Sequence, residues 1–212
     1  MLMNPFMRII YWKIYLPWLK KQFPVSELAY KRLRKLKGIE IGASAQVDFK
    51  LNTLNVDMSY NTDKNNIYGQ EQKKHAGRIA KVDVIAAGDN LPFEDNQWDF
   101  VINSHVLEHF YDPIKAINEW ERVVKPGGYI FMIVPHKERT FDSPRPRTTL
   151  RELIERHEWT LQNPEVIKED DHHSVWVTED LVELCEYLGL NIVEHYDIDD
   201  SVGNGFTIVC RV

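Results

Sequence analysis

The sequence predicts an α/β fold built on a mostly parallel sheet, and three features carry that expectation. Residues 98–136 read as strand, helix, strand, which is the right-handed crossover unit of a parallel sheet. Upstream, three more short apolar runs end at Gly42, Asp57 and Ala86, as strands do that feed a ligand cleft. Downstream, Asn191–Ile198 and Phe206–Val212 flank Gly203-Asn204-Gly205, which predicts an antiparallel hairpin with its turn at those glycines.

The central unit is read most directly. Phe100, Val101 and Ile102 are too short a run for a helix and suit a strand buried on both faces. Asp112-Pro113 is a helix start: an N-cap oxygen, then a proline where no amide donor is needed. Ile114, Ile117, Trp120, Val123 and Val124 follow at helical spacing and give one apolar face. Lys125-Pro126-Gly127-Gly128 is expected to end that helix, and Tyr129–Val134 to be the next strand. Ligands of such sheets lie beyond the C-terminal strand ends. Those ends carry Asn103-Ser104-His105 and Pro135-His136.

Gly38–Gly42 reads as the first strand, closed by a glycine whose missing Cβ lets a ligand approach the backbone. Only Ala43 to Asn52 separate it from the second strand, so the intervening helix is a turn or two at most. The second strand ends at Asp57, with Met58 next; an acid there can accept both hydrogen bonds of a ribose diol. Residues 59–80 are polar and read as a loop and one helix, Val82–Ala86 as the third strand, and Glu94-Asp95-Asn96 as a solvated turn. His105 and His109 lie four apart, on one face if Ser104 starts a helix. That spacing can hold a metal; a metal-free site is the favoured reading unless His136, His172 or His173 converge on the same face.

The order D-F-V-I-N-S-H-V-L-E-H, then R-V-V-K-P-G-G-Y, resembles class I S-adenosylmethionine-dependent methyltransferases from about Gly38 to Pro135 and again over the last 35 residues. It is most similar to small methyltransferases found near or fused to glycosyltransferases, whose fifth strand leads into a segment like His136-Lys137-Glu138-Arg139-Thr140-Phe141-Asp142, then Arg145-Pro146. The resemblance implies a Rossmann-like, mostly parallel seven-stranded sheet ending in an antiparallel hairpin, with helices on both faces. It implies S-adenosylmethionine as cofactor: Glu40 and Gly42 at its methionine part, Asp57 and Met58 at the ribose end, and Gly88 and Asp89 near the adenine. Asn103, Ser104 and His105 complete the expected cofactor set. The glycine-rich turn of the family is here Gly42-Ala43-Ser44-Ala45, one glycine followed by small residues.

The expected reaction is methyl transfer to an oxygen or nitrogen of a small-molecule or sugar-precursor acceptor, with His109 and His136 as candidate bases. Ser143–Val177 is the variable part, read as a substrate-side lid with a helix from Thr148/Thr149 and another from Thr178. Arg139 and His172 are the candidate acceptor contacts. Arg139, Arg145, Arg147 and Arg151 can grip anions or pair with local acids; both readings stay open. A rival is a non-catalytic module with the fold kept and the cofactor turn degraded; an enzyme for another nucleotide-like ligand is a third.

Apolar content of 43% and charged content of 27% over 212 residues fit one globular domain with a full core. Cys185 and Cys210 have no metal spacing and read as inert core thiols in a reducing cytosol. Charge divides the chain: residues 1–37 hold nine Lys/Arg against Glu27, a net of +8, leaving −14 for 38–212. The expected organisation is a basic, aromatic helical arm over 1–37 and a catalytic domain over 38–212. The arm has no unbroken apolar run long enough to span a membrane. It is read as a cap on the domain, with peripheral membrane contact through residues 1–23 as the alternative and nucleic acid least favoured. The expected location is cytoplasmic or membrane-peripheral, and the oligomeric state is open.

Overall fold

The computed structural model describes residues 26–45, 48–58, 67–164 and 172–212. Residues 1–23 of the expected arm, on which the alternative of membrane contact rests, and residues 165–171 of the expected lid lie outside the described residues.

Seven strands form one sheet in the order β3-β2-β1-β4-β5-β7-β6. β1 (Lys37–Ile41), β2 (Asn52–Asp57), β3 (Val84–Ile85), β4 (Trp98–Ser104) and β5 (Val124–Pro135) run parallel. β7 (Gly205–Arg211) is antiparallel to β5, and β6 (Asn191–Tyr196) is antiparallel to β7. This is the expected architecture. The chain order reverses between β1 and β4, which makes their C-terminal ends the crevice of the sheet.

Strand alternation sends Ile39, Ile41, Val101, Ile130 and Met132 to one face. There they meet α3 (Pro113–Val123), which buries Ile114, Ile117, Trp120 and Val123. Asp112 caps α3 by accepting from the Lys115 N–H at 2.9 Å, with Pro113 at the first helical position, as the sequence predicts. Phe100, Ile102, Phe131 and Ile133 face the other way, onto Phe49 and onto α1 (Glu27–Leu33) through Ala29 and Leu33. Ser26 Oγ accepts from the Ala29 N–H and starts α1. Each fully buried aliphatic or aromatic side chain contributes about 1.5–3 kcal/mol, so the two layers sandwich the sheet firmly.

Three local expectations are corrected. Lys125–Gly128 does not separate helix from strand: α3 stops at Val123, Val124 pairs with Trp98, and β5 continues through the glycines with a shift of register. Among the described residues between β1 and β2 there is no helix, where a turn or two was expected. The final hairpin does not turn at Gly203–Gly205 alone. Residues 197–204 connect the strands, and the buried Asp199 carboxylate accepts from the N–H groups of Ser201, Val202, Gly203 and Gly205.

The variable region contains α4 (Leu150–Gln162) and leads into α5 (Thr178–Tyr187). Thr149 and Glu152 form a capping box at the start of α4. Leu153 and Trp176 enter the main core, so this region is welded to the domain at both ends. Cys185 and Cys210 are free, buried thiols in hydrogen-bond contact, which pushes the Cys185 pKa up. Among the described residues no helix is long and apolar enough to cross a membrane.

Candidate active site

The β1 register sets the geometry. Ile41 pairs with Val56 on one side and Asn103 on the other, so Gly42 stands level with Asp57 and Ser104. Gly42 has φ +66°, and a Cβ there would lie 2.6 Å from Val106 Cγ2. Both conditions require glycine. The turn that follows is held from below: Gln72, fully buried on α2 (Ile67–Ala76), accepts from the Ala45 N–H at 2.8 Å and the Ala80 N–H at 2.9 Å. Ala43, Ala45 and Ala80 pack together around it. Small residues thus build the turn where more glycines were expected.

Glu40 points to the opposite face from Ile39 and Ile41. Burial, reinforced by the nearby Asp48 carboxylate and opposed by a hydrogen bond with Thr53, pushes its pKa up to about 8. Asp57 closes β2, and the Met58 side chain beside it is exposed. Across the crevice, Asn103 is fully buried, and neither its amide oxygen nor its amide nitrogen has a hydrogen-bond partner. A buried, unpartnered amide costs about 1–3 kcal/mol. It is the kind of group a ligand satisfies.

Gly88 and Asp89 follow β3 and are pinned by α3. Trp120 Nε1 donates to Gly88 O at 2.8 Å, Glu119 Oε1 accepts from the Leu91 N–H at 2.7 Å, and Arg122 donates to Phe93 O. A Cβ on Gly88 would meet Ile41 Cγ2 at 2.7 Å. The Asp89 carboxylate is ion-paired with Lys115 Nζ at 2.9 Å.

His105 and His109 do not share a helix. His105 has φ +55° and donates its N–H to Ile133 O, and only Leu107–His109 makes a short 3-10 turn. A non-glycine residue in that conformation is strained, and strain of this kind gathers at functional sites. Burial holds the His105 pKa down, and its Nε2 has no hydrogen-bond partner.

His109 meets His172 instead. Their rings stand edge to face with centroids 4.7 Å apart, and the buried Glu108 carboxylate lies 3.9 Å from Nε2 of each. His172 Nδ1 is 2.7 Å from Asp142 Oδ2, and Arg145 bridges Asp142 and the His172 carbonyl. Glu108 and Asp142 had no role in the sequence reading. Glu108 sits inside L-E-H, and Asp142 is paired over 30 residues that no local pattern links.

His136 lies apart from this cluster. Its Nδ1 accepts from the Glu138 N–H, so the neutral ring carries its proton on Nε2, which faces Asp197 Oδ1 at 3.6 Å. Burial and then the Arg139 cation push its pKa down. A ring with one nitrogen accepting from backbone and the other protonated toward a carboxylate is poorly arranged to take a proton. Arg139 itself pairs with Asp197, Arg145 with Asp142, Arg147 with Asp180 and Arg151 with Glu155. Of the two readings of these arginines, pairing with local acids is the observed one.

Comparison with known proteins agrees with this geometry. Residues 39–132 match the family described as methyltransferase domain. An uncharacterised protein of Methanocaldococcus jannaschii is 32% identical over 120 residues, which cover 53% of this chain and 55% of that protein. The demethylmenaquinone methyltransferase of Staphylococcus haemolyticus is 38% identical over 93 residues, covering 42% of this chain and 33% of the relative. The chain thus spans about half, or less, of the length of these curated relatives. Among solved structures, an S-adenosylmethionine-dependent methyltransferase of Thermotoga maritima shares the fold, with TM-score 0.53, 19% identity and 96% of each chain covered. The cofactor that such a domain implies is S-adenosylmethionine, and the positive-φ glycine at the turn and the unpartnered Asn103 amide fit a polar ligand that approaches the backbone there. Residues 39–132 are thus similar to a methyltransferase domain, and the sheet that contains them has the fold of the class I S-adenosylmethionine-dependent methyltransferases.

Proposed function

We propose that the chain methylates an oxygen or nitrogen of a small-molecule acceptor, with sugar or glycan precursors as the favoured class. The observation that carries this reading is the crevice where Gly42 and Asp57 stand level at the ends of β1 and β2, with the buried, unpartnered Asn103 amide one position back on β4. The glycan preference rests on the resemblance to glycosyltransferase-linked methyltransferases.

Bound S-adenosylmethionine supplies an electrophilic methyl on a sulfonium. The residues of the chain do the rest. Glu40 and Gly42 take the methionine end, with Gly42 giving backbone approach. Asp57 accepts from the ribose hydroxyls, and the exposed Met58 offers apolar surface beside it. Gly88 and Asp89 border the adenine. Asn103, Ser104 and His105 line the floor, where the Asn103 amide gains the hydrogen bonds it lacks. Alignment of acceptor and methyl supplies most of the rate. Of the two candidate bases, the tautomer of His136 leaves His109, at the mouth of the crevice beside His172, to take a proton from a hydroxyl or amine.

The Gln72 staple under Ala43–Ala45 supports a working cofactor turn over a degraded one. The burial of Ala29 and Leu33 against the sheet supports the reading of 1–37 as a capping arm. Titration calorimetry with S-adenosylhomocysteine tests the proposal. One molecule bound per chain is expected, followed by label transfer from S-adenosylmethionine to members of a sugar and small-amine panel. No heat and no protection against thermal unfolding would reject it.

A further inference from the structure

We infer that Glu108, His109 and His172 form a binding site for one divalent first-row transition metal, of which Zn2+ is the representative. The inference builds on the crevice proposed above, since this cluster stands at its mouth. Each of the three side chains offers one donor atom, and the three atoms lie within 4.8 Å of one another. Two imidazoles and one carboxylate are the donor set of catalytic zinc sites and of related dications. Bonds of about 2.0–2.2 Å to one ion imply donor separations near 3.4 Å. The carboxylate is 3.9 Å from each imidazole Nε2 and no two donors are more than 4.8 Å apart, so the rings must move inward to close on an ion.

The surroundings match what metal-bound histidines need. A ligating imidazole usually donates its other N–H to a carboxylate, which fixes the tautomer and raises its basicity. His172 Nδ1 has that partner in Asp142, 2.7 Å away and itself buried. Arg145 holds Asp142 from behind through Nη1 and binds the His172 carbonyl through Nη2. The Glu108 carbonyl accepts from the His173 and Ser174 N–H groups, which locks the segment carrying His172 onto the L-E-H turn. Tertiary hydrogen bonds therefore hold the donors in place across more than 60 residues of chain. Glu108 and His172 are largely buried, whereas the His109 side chain is 38% exposed, which leaves an entry path. Three protein ligands leave a position for water or an acceptor oxygen. With an ion bound, His109 would be a ligand rather than the base, and the ion would lower the pKa of an acceptor hydroxyl so that solvent could take its proton.

The test uses full-length protein without a histidine tag, stripped with a chelator and titrated with Co2+ as a coloured probe, then with Zn2+ as competitor. One equivalent of Co2+ with a d–d spectrum, displaced by one equivalent of Zn2+, is expected. His172→Ala and Glu108→Gln should each weaken Zn2+ binding at least 100-fold. Asp142→Asn, which touches no ion, should weaken it about 10–100-fold. Circular dichroism and S-adenosylhomocysteine binding on the same samples establish that the variants are folded. Absence of a d–d spectrum in the parent protein overturns the inference; it would mean that the carboxylate serves as partner to a protonated imidazole. Equal Zn2+ affinity in the parent and both ligand variants also overturns it, since the ion would sit elsewhere. S-adenosylhomocysteine binding without metal binding rejects this inference alone, whereas loss of cofactor binding rejects the methyl-transfer reading.

Discussion

Gly42 and Val106 meet across the crevice so closely that a Cβ on Gly42 would stand 2.6 Å from Val106 Cγ2, with φ at Gly42 already +66°. Two penalties are therefore separable. Gly42→Ala should lower stability by about 1–3 kcal/mol, the range for a strained backbone position, and weaken S-adenosylhomocysteine binding. Adding Val106→Ala should recover the steric part and leave the backbone part. Chemical denaturation of both variants reads the difference; identical losses would mean that Val106 is not the obstacle.

Asp57 stands level with Gly42 at the end of β2. Asp57→Ala removes a charged acceptor worth about 1.5–3 kcal/mol to each hydroxyl it serves. Cofactor affinity should fall at least tenfold by calorimetry, and an unchanged affinity removes Asp57 from the ribose.

Asn103 separates binding from stability. Its amide is fully buried and unpartnered, so Asn103→Leu should leave the ligand-free protein as stable or stabilise it by about 1–3 kcal/mol. The same change should cost tenfold or more in S-adenosylhomocysteine affinity. A variant that melts earlier and binds normally would make Asn103 a packing residue.

The parts legible in the sequence are those written in local chemistry. Asp112-Pro113 announces α3, and Thr149 with Glu152 announces α4, because capping uses residues within three positions. The ends of β1, β2 and β4 are legible because a buried strand and its closing residue are adjacent in sequence. What was not legible depends on distant partners. His105 leaves the helical conformation because its N–H bonds Ile133 O, and the hairpin turn lengthens because Asp199 gathers four N–H groups. His136 loses its fitness as a base through Glu138 and Asp197, the latter 61 positions away. The His172–Asp142 contact and the Arg139–Asp197 pair likewise join residues 30 and 58 positions apart.

Glu40 gives the last prediction, and its sign follows from where the proton sits. In the folded chain the carboxyl titrates near 8, against 4.5 for the ordinary group. Below about 4.5 both states hold the proton, and Glu40 contributes no pH dependence. Between 4.5 and 8 the unfolded chain releases the proton while the folded chain keeps it, so stability falls as pH rises through that window. The full loss approaches ~5 kcal/mol, at 1.36 kcal/mol per pH unit of difference. Glu40→Gln keeps the shape and a hydrogen-bond acceptor for Thr53 but cannot ionise. Denaturation curves at pH 5, 6, 7 and 8 should therefore show the variant gaining on the parent with each step. A constant difference across the four would mean that Glu40 ionises at its ordinary pKa, with water or a cation beneath the cofactor turn.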